Sequence, residues 1–206
     1  MSKVLMINGS PRTNGNTALA LKEMEIIFNE NGVDVTTVQV GHEAIRGCVA
    51  CGQCKKIGKC VFEDKVNEVA PLFEEADGLV IASPVYYASA NGTMISFLDR
   101  LFQSTGFAKS MKVGASVVCA RRGGCSATFD ELNKYFTIYS MPIASSVYWN
   151  SIHGLAEGEA NLDEEGKCTM RTLAKNMTFL MKSIELGKKE FGLPNVEKKK
   201  VTNFIR

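Results

Sequence analysis

No apolar run among the 206 residues approaches the roughly 20 needed to span a bilayer. Charge of one sign is also scarce. The 24 basic and 22 acidic side chains leave +2, which removes any argument for nucleic acid or a membrane surface as partner. The Gly-Lys-Ser/Thr ending of a nucleoside-triphosphate loop is missing, and so is the Gly-x-Gly-x-x-Gly of a dinucleotide-binding turn. No internal repeat or low-complexity segment appears. The apolar pattern begins at Val4 with no leader ahead of it, so a cytoplasmic chain without a signal peptide is expected. The two histidines, His42 and His153, fall in polar stretches and read as surface side chains, His153 within reach of a pocket rim.

What is present is ordinary for a soluble globular protein: 45% hydrophobic and 22% charged residues, in a chain long enough for one full core. One domain is expected over residues 1–187, with a cysteine-rich loop at 41–62 and a solvated basic tail at 188–206. That tail holds Lys188, Lys189 and Lys198 to Lys200. Seven cysteines is an odd count, and four of them crowd between Cys48 and Cys60. In a reducing compartment such crowding suggests a metal site rather than disulfides.

Strand and helix patterns alternate five times. Strands are expected at 4–7, 33–40, 78–87, 113–120 and 142–148, and helices at 16–31, 63–76, 91–104, from Gly124 to about 140, and 168–187. Gly32 suits the C-terminal cap of the first helix. Val66, Val69, Leu72 and Phe73 line one face of the second helix, and Met94, Phe97, Leu98 and Leu101 one face of the third. Leu173, Met177, Leu180, Met181 and Ile184 line the last helix, where the methionines read as core filling, and Cys119 reads as a small apolar filler ending a buried strand. The expected fold is α/β, a three-layer, doubly wound, five-stranded parallel sheet in the order 2-1-3-4-5. The loops after strands one, three and four then meet at the carboxyl edge, at the topological switch point.

The first of those loops, residues 9–17, holds Gly9, Ser10, Pro11, Arg12, Gly15, Asn16 and Thr17 between a strand and a helix start. A helix N-terminus with unpaired N–H groups suits a phosphate. Ser10, Asn16 and Thr17 add neutral donors, and Arg12 adds a charge that takes phosphate oxygens two at a time. A phosphate with no metal requirement fits best, as at the end of a mononucleotide.

Taken with Ser83-Pro84-Val85-Tyr86-Tyr87, Phe97-Leu98-Asp99-Arg100, Arg121-Arg122-Gly123-Gly124 and Tyr148-Trp149-Asn150, this loop resembles the NADPH-dependent FMN reductase family of flavodoxin-like proteins over nearly the whole chain. The resemblance implies FMN at the switch point. Ser10, Arg12, Asn14, Asn16 and Thr17 match the family's phosphate loop. Pro84, Val85, Tyr86 and Tyr87 match the segment flanking the isoalloxazine ring, and Ala120, Arg121, Arg122, Gly123 and Gly124 stand at the third, glycine-bearing loop. Glycines there permit the close backbone approach a flat ring needs. Each element also has a plain alternative: Pro84 and Tyr86 ending a strand, Arg121 and Arg122 in a solvated turn, Tyr148 and Trp149 as core aromatics.

Cys48-x2-Cys51-x2-Cys54-x5-Cys60 is the sharpest motif in the chain. Three thiolates at intervals of three in a glycine-rich loop turn inward around one centre, and a fourth arrives after a short excursion. The run is similar to the compact bacterial ferredoxin motif, although Val61 stands where a proline would follow. A zinc site more often draws two separated pairs. Within the flavin family this spacing looks like the iron–sulfur flavoproteins. That branch implies Cys48, Cys51, Cys54 and Cys60 as ligands of a [4Fe–4S] cluster, with Lys55, Lys56 and Lys59 offsetting its charge. Zinc and four reduced thiols remain the alternatives.

The resemblance implies an FMN-dependent oxidoreductase in which a donor reduces the flavin and leaves, and a small acceptor such as a quinone or free flavin takes the electrons. The cofactor carries the chemistry, so no catalytic side chain is named. The donor is NAD(P)H, stacking in the same pocket for want of its own fingerprint, or reduced ferredoxin. Competing readings are a flavodoxin-like carrier without small-molecule turnover, and a binding protein for another phosphate ligand. A homodimer or homotetramer is implied, with the cysteine loop of one subunit approaching the flavin of another.

Overall fold

A central strand whose residues are buried on both sides sets the architecture. In this computed structural model, which describes residues 1–197, 200–202 and 204, β1 (Lys3–Asn8) pairs in parallel with β2 (Asp34–Gln39) on one side and β3 (Gly78–Tyr86) on the other. β5 (Val113–Ala120) extends the sheet beyond β3, and β6 (Ser151–His153) closes it, for an order of β2-β1-β3-β5-β6. That is the expected doubly wound order. Lys198 and Lys199 of the basic tail lie outside the described residues.

The period of two along each strand divides the core. Val4 and Met6 of β1, with Val80 and Ala82 of β3, face α1 (Asn16–Glu30) and α6 (Glu164–Phe191). Leu5, Ile7, Leu79 and Ile81 face α3 (Lys65–Glu75), α4 (Gly92–Ser104) and α5 (Cys125–Thr137). A further single turn, α2 (Cys54–Ile57), lies inside the cysteine loop. Phe136 of α5 packs so closely on β5 that a Cβ at Gly114 would fall 2.5 Å from its ring. Among the described residues, no helix is long and apolar enough to cross a membrane.

Four expectations need correction. The fifth strand is not at 142–148. The chain touches β5 only near Ile143, with Gly114 N–H donating to Pro142 O and Ala144 N–H to Gly114 O, both at 2.8 Å. It then leaves the sheet and returns as β6. The excursion is written in side chains that compete with the ladder. The Asn150 amide donates to Ser116 O at 3.0 Å, and the Ser146 hydroxyl binds Tyr148 O and Asn150 Oδ1. Tyr148 and Trp149, read alternatively as core aromatics, are consequently exposed.

The second correction is a short strand, β4 (Ser89–Ala90), which folds back on β3 through a two-residue turn. Its central residues, Tyr87 and Ala88, have φ of 52° and 60°. Such turns favour Asn-Gly, so Tyr-Ala carried no hairpin signal. Glu131 of α5 holds the turn by accepting from the Ser89 hydroxyl and from Ala90 N–H. Third, α6 starts earlier and ends later than its periodicity suggested. Asp163 caps it by accepting from Gly166 N–H at 2.8 Å, and Gly192, not Gly187, follows its last turn. Last, Leu72 turns to solvent while Val66, Val69 and Phe73 are buried.

Candidate cofactor cleft and cysteine loop

The loop between β1 and α1 is pinned from within. Ser10 N–H donates to Asn8 Oδ1 at 2.9 Å, Arg12 N–H to the Ser10 hydroxyl at 3.2 Å, and Gly15 N–H to Arg12 O at 3.3 Å. Gly15 sits at the N-cap of α1, which has no side-chain cap. The first-turn N–H groups of that helix are therefore left to a ligand or to water. An anion is the ligand this end favours. The Ser10 hydroxyl accepts from the backbone and keeps its own proton to donate.

Two flanking segments press on this loop. At the end of β2, Gln39 donates its side-chain amide to Ser10 O, and Gly41 lies against the Gly9 and Ser10 backbone. A Cβ at Gly41 would overlap the Ser10 carbonyl carbon and oxygen and Gly9 O. After β6, Gly154 packs on Asn16, where a Cβ would fall 2.6 Å from Nδ2. Asn16 in turn latches the segment after β6, donating to Ala156 O at 2.9 Å and accepting from Ala160 N–H at 3.1 Å. Much of its amide is thus committed to protein, and its side chain is less free for phosphate than the sequence suggested. Arg12 donates to Leu155 O at 3.3 Å but is otherwise exposed.

A cleft of about 200 Å³ opens between these parts. It gathers Ser10, Arg12, Asn16 and Thr17 from the first loop, Pro84, Val85 and Tyr86 from the second, and Ala120 and Arg121 from the third. Asn14, Tyr87, Arg122, Gly123 and Gly124 do not line it. Asn14, Arg122 and Gly123 are exposed, and Tyr87 is fully solvated at the hairpin tip. Gly124, with φ of 93°, caps α5 and packs on the hairpin, where a Cβ would fall 2.8 Å from Val85 Cγ1. It shapes the second loop rather than touching the cleft.

Gly15, Cys119, Gly154 and Leu155 complete the lining and were not proposed as site residues. The available signal was positional: Gly41 and Gly154 both follow carboxyl ends of parallel strands, where ligands bind in such sheets. Burial pushes the Cys119 thiol up to about 11 against a hydrogen bond from Thr17, so it is a neutral wall of the cleft at pH 7. His153 stands beside the cleft, with Cys125 Sγ 3.8 Å from Nε2 and Asp163 Oδ2 3.5 Å from Nδ1.

The cysteine loop has its own cavity of about 440 Å³, bordered by Cys48, Cys51, Cys54 and Cys60 together with Asp99 and Arg100 of α4. It shares no lining residue with the cleft. Left-handed turns at Ala50, Gly52 and Gly58 bend the chain around it. Cys48 and Cys51 are exposed, Cys54 is half-buried and Cys60 is buried, all as free cysteines. Among the described residues, no three Cys, His, Asp or Glu side chains group closely enough to hold a single ion. Four soft thiol donors around one cavity, backed by a cation, match the chemistry an iron–sulfur cluster requires, and a cluster spreads its thiolates wider than one ion does.

The family model described as NADPH-dependent FMN reductase matches residues 2–155. An iron–sulfur flavoprotein of Methanocaldococcus jannaschii is 31% identical over 191 residues, spanning 89% of this chain and 99% of that protein. An iron–sulfur flavoprotein of Methanosarcina thermophila is 29% identical, spanning 89% and 97%. Among solved structures, RosB with a bound flavin-phosphate intermediate superposes with a TM-score of 0.71 at 15% identity, covering 100% of this chain and 94% of that one. The apo form of the NADH:FMN oxidoreductase EmoB superposes with a TM-score of 0.63 at 17% identity, covering 87% and 89%. At those identities the two structures speak for the fold.

Proposed function

Since the chain belongs to the NADPH-dependent FMN reductase family, and is on that ground an FMN-dependent oxidoreductase, we propose that its cysteine loop holds a [4Fe–4S] cluster. In this reading electrons pass from NAD(P)H or reduced ferredoxin to a small acceptor such as a quinone or free flavin. The observation that carries it is the placement of all four loop cysteines around one cavity, in a chain whose first loop presents an uncapped helix start to a separate cleft. FMN, once bound, supplies the two-electron and one-electron chemistry. The chain's own residues bind and orient. The α1 N-terminus, the Ser10 hydroxyl and Arg12 take the phosphate, Pro84 to Tyr86 and Ala120 to Arg121 border the ring, and Cys119 offers a neutral wall.

The cleft is small beside the roughly 300–1,000 Å³ usual for cofactor pockets, and it is separate from the cysteine cavity within one chain. Both facts support a homo-oligomer in which a second copy covers the flavin and brings its own cysteine loop near.

Anaerobically purified protein tests the reading through its visible spectrum, with iron and acid-labile sulfide measured on the same sample. Flavin bands with a broad shoulder that bleaches on reduction, and about four irons and four sulfides per chain, are expected. Flavin without iron or sulfide sinks the cluster. The phosphate assignment is tested separately: Arg12→Ala is expected to weaken FMN binding about 10- to 100-fold, the roughly 1.5–3 kcal/mol of a hydrogen bond to a charged group. Riboflavin, which lacks the phosphate, is expected to bind both proteins alike in the same fluorescence titration.

A further inference from the structure

The four loop cysteines are not equivalent. Cys60 is buried, and of the four it is the one whose sulfur accepts side-chain hydrogen bonds, from Arg100 Nε at 3.3 Å and Nη2 at 3.2 Å. Arg100 is itself 1% exposed, near the middle of an apolar helix face. A buried guanidinium has to satisfy its donors, and this one does so around the cysteine loop. Nη1 pairs with Asp64 Oδ2 at 2.6 Å, Nη2 with Asp64 Oδ1 at 3.0 Å, and the two nitrogens also reach Arg46 O and Phe62 O. The Phe62 ring stands 5.1 Å from the guanidinium carbon. Asp64 meanwhile caps α3 by accepting from Val66 N–H.

We propose that Arg100 is a positioning residue for Cys60, whose two N–H···S hydrogen bonds raise the reduction potential of the iron–sulfur centre held through that sulfur, with Asp64 as the opposing charge that moderates the effect. This rests on the reading of the loop as an iron–sulfur site. The physical reason is that adding one electron makes the ligand sulfur more negative. Donors aimed at it, in a water-poor setting, then bind the reduced form more strongly than the oxidised form. No bond breaks and no proton moves; the electron comes from the mediators of the titration. An Arg100 that merely staples the loop would leave the potential alone, or would move it the same way whichever partner is altered.

The test is a mediated redox titration, followed by EPR, of anaerobically purified wild-type, Arg100→Lys, Arg100→Gln and Asp64→Asn proteins, with iron and sulfide assayed on each. Arg100→Lys and Arg100→Gln are expected to lower the potential. Arg100→Gln is expected to move it by at least a tenfold change in the ratio of reduced to oxidised centre, about 59 mV for one electron. Asp64→Asn is expected to raise it. The asparagine keeps an acceptor for Val66 N–H, so this variant decides the matter even if the arginine variants fail to load iron. Loaded proteins whose potentials coincide, or an Asp64→Asn shift downwards, overturn the role of Arg100 alone. Wild-type protein without iron and sulfide overturns the reading of the loop, and the proposal with it.

Discussion

Gly41→Ala is expected to abolish FMN retention through purification and to cost the fold about 3 kcal/mol, the upper part of the usual range for overpacking. The new methyl group would overlap the backbone of Gly9 and Ser10, not the end of a flexible side chain. That backbone has nowhere to go. Gly9 N–H is tied to Ala82 O at 2.8 Å, Ser10 N–H to Asn8 Oδ1 at 2.9 Å, and Ser10 O to Gln39. A Cβ at Gly9 would itself meet Met94 Cε at 2.7 Å, so the loop is already in tight contact with α4 on another side. Relief has to come from lifting the loop away from β2, which carries Ser10 and Arg12 off the α1 N-terminus. Gly92→Ala is the matched control. Nothing stands within 4 Å of that position, and it opens a helix, where alanine gains up to about 1 kcal/mol over glycine. Urea unfolding and FMN titration on both variants check the prediction. A Gly41→Ala protein that binds FMN within twofold of wild type refutes it.

Arg100→Met is expected to lose about 3 kcal/mol of stability in iron-free protein, near the lower end of what breaking a buried ion pair costs. One side chain here ties the two ends of the cysteine loop together, touching Arg46 O in its first part and Cys60, Phe62 and Asp64 at its far end. Its loss leaves the Asp64 carboxylate, about a quarter exposed, at the α3 N-terminus without its cation. Chemical denaturation of the chelator-treated variant measures the cost, and limited proteolysis between residues 46 and 64 reports where the structure loosens. A loss below about 1 kcal/mol, the range of an exposed pair, counts against the clamp as a stabilising element. The iron-free measurement also separates the structural part of Arg100 from its effect on a potential.

The expected order of parallel strands holds because it rests on strong periodic signals. Val4 to Ile7, residues 78–82 and Val113 to Ala120 are nearly all apolar and buried on both faces, as strands sandwiched between helix layers must be. The cleft was legible in part, since nine of the fourteen expected residues line it. Ser10, Arg12, Pro84, Tyr86 and Ala120 come together because right-handed crossovers send three loops to one edge. What escaped was decided by side chains that replace regular structure. Asn150 satisfies Ser116 O in place of a strand backbone, so the stretch that reads as a strand at 142–148 leaves the sheet after Ile143, and pairing resumes beyond it at β6. Tyr87 and Ala88 adopt left-handed conformations because Glu131 holds the hairpin, not because their own preferences favour it.

The amino-acid sequence alone determined the layered α/β sheet, the place of the small-residue loop between β1 and α1 and the grouping of four cysteines. Each of these is encoded over a few neighbouring residues by periodicity, small side chains or spacing. Only the tertiary structure decided which cysteine is buried against a cation and which glycines press on the first loop. It also decided that Asn16 latches the segment after β6. Arg100 and Cys60 are 40 residues apart, and Asn16 and Ala160 are 144 apart. Contacts of that kind leave no local pattern, because they are chosen by how packed elements meet and by the need to pair every buried polar group.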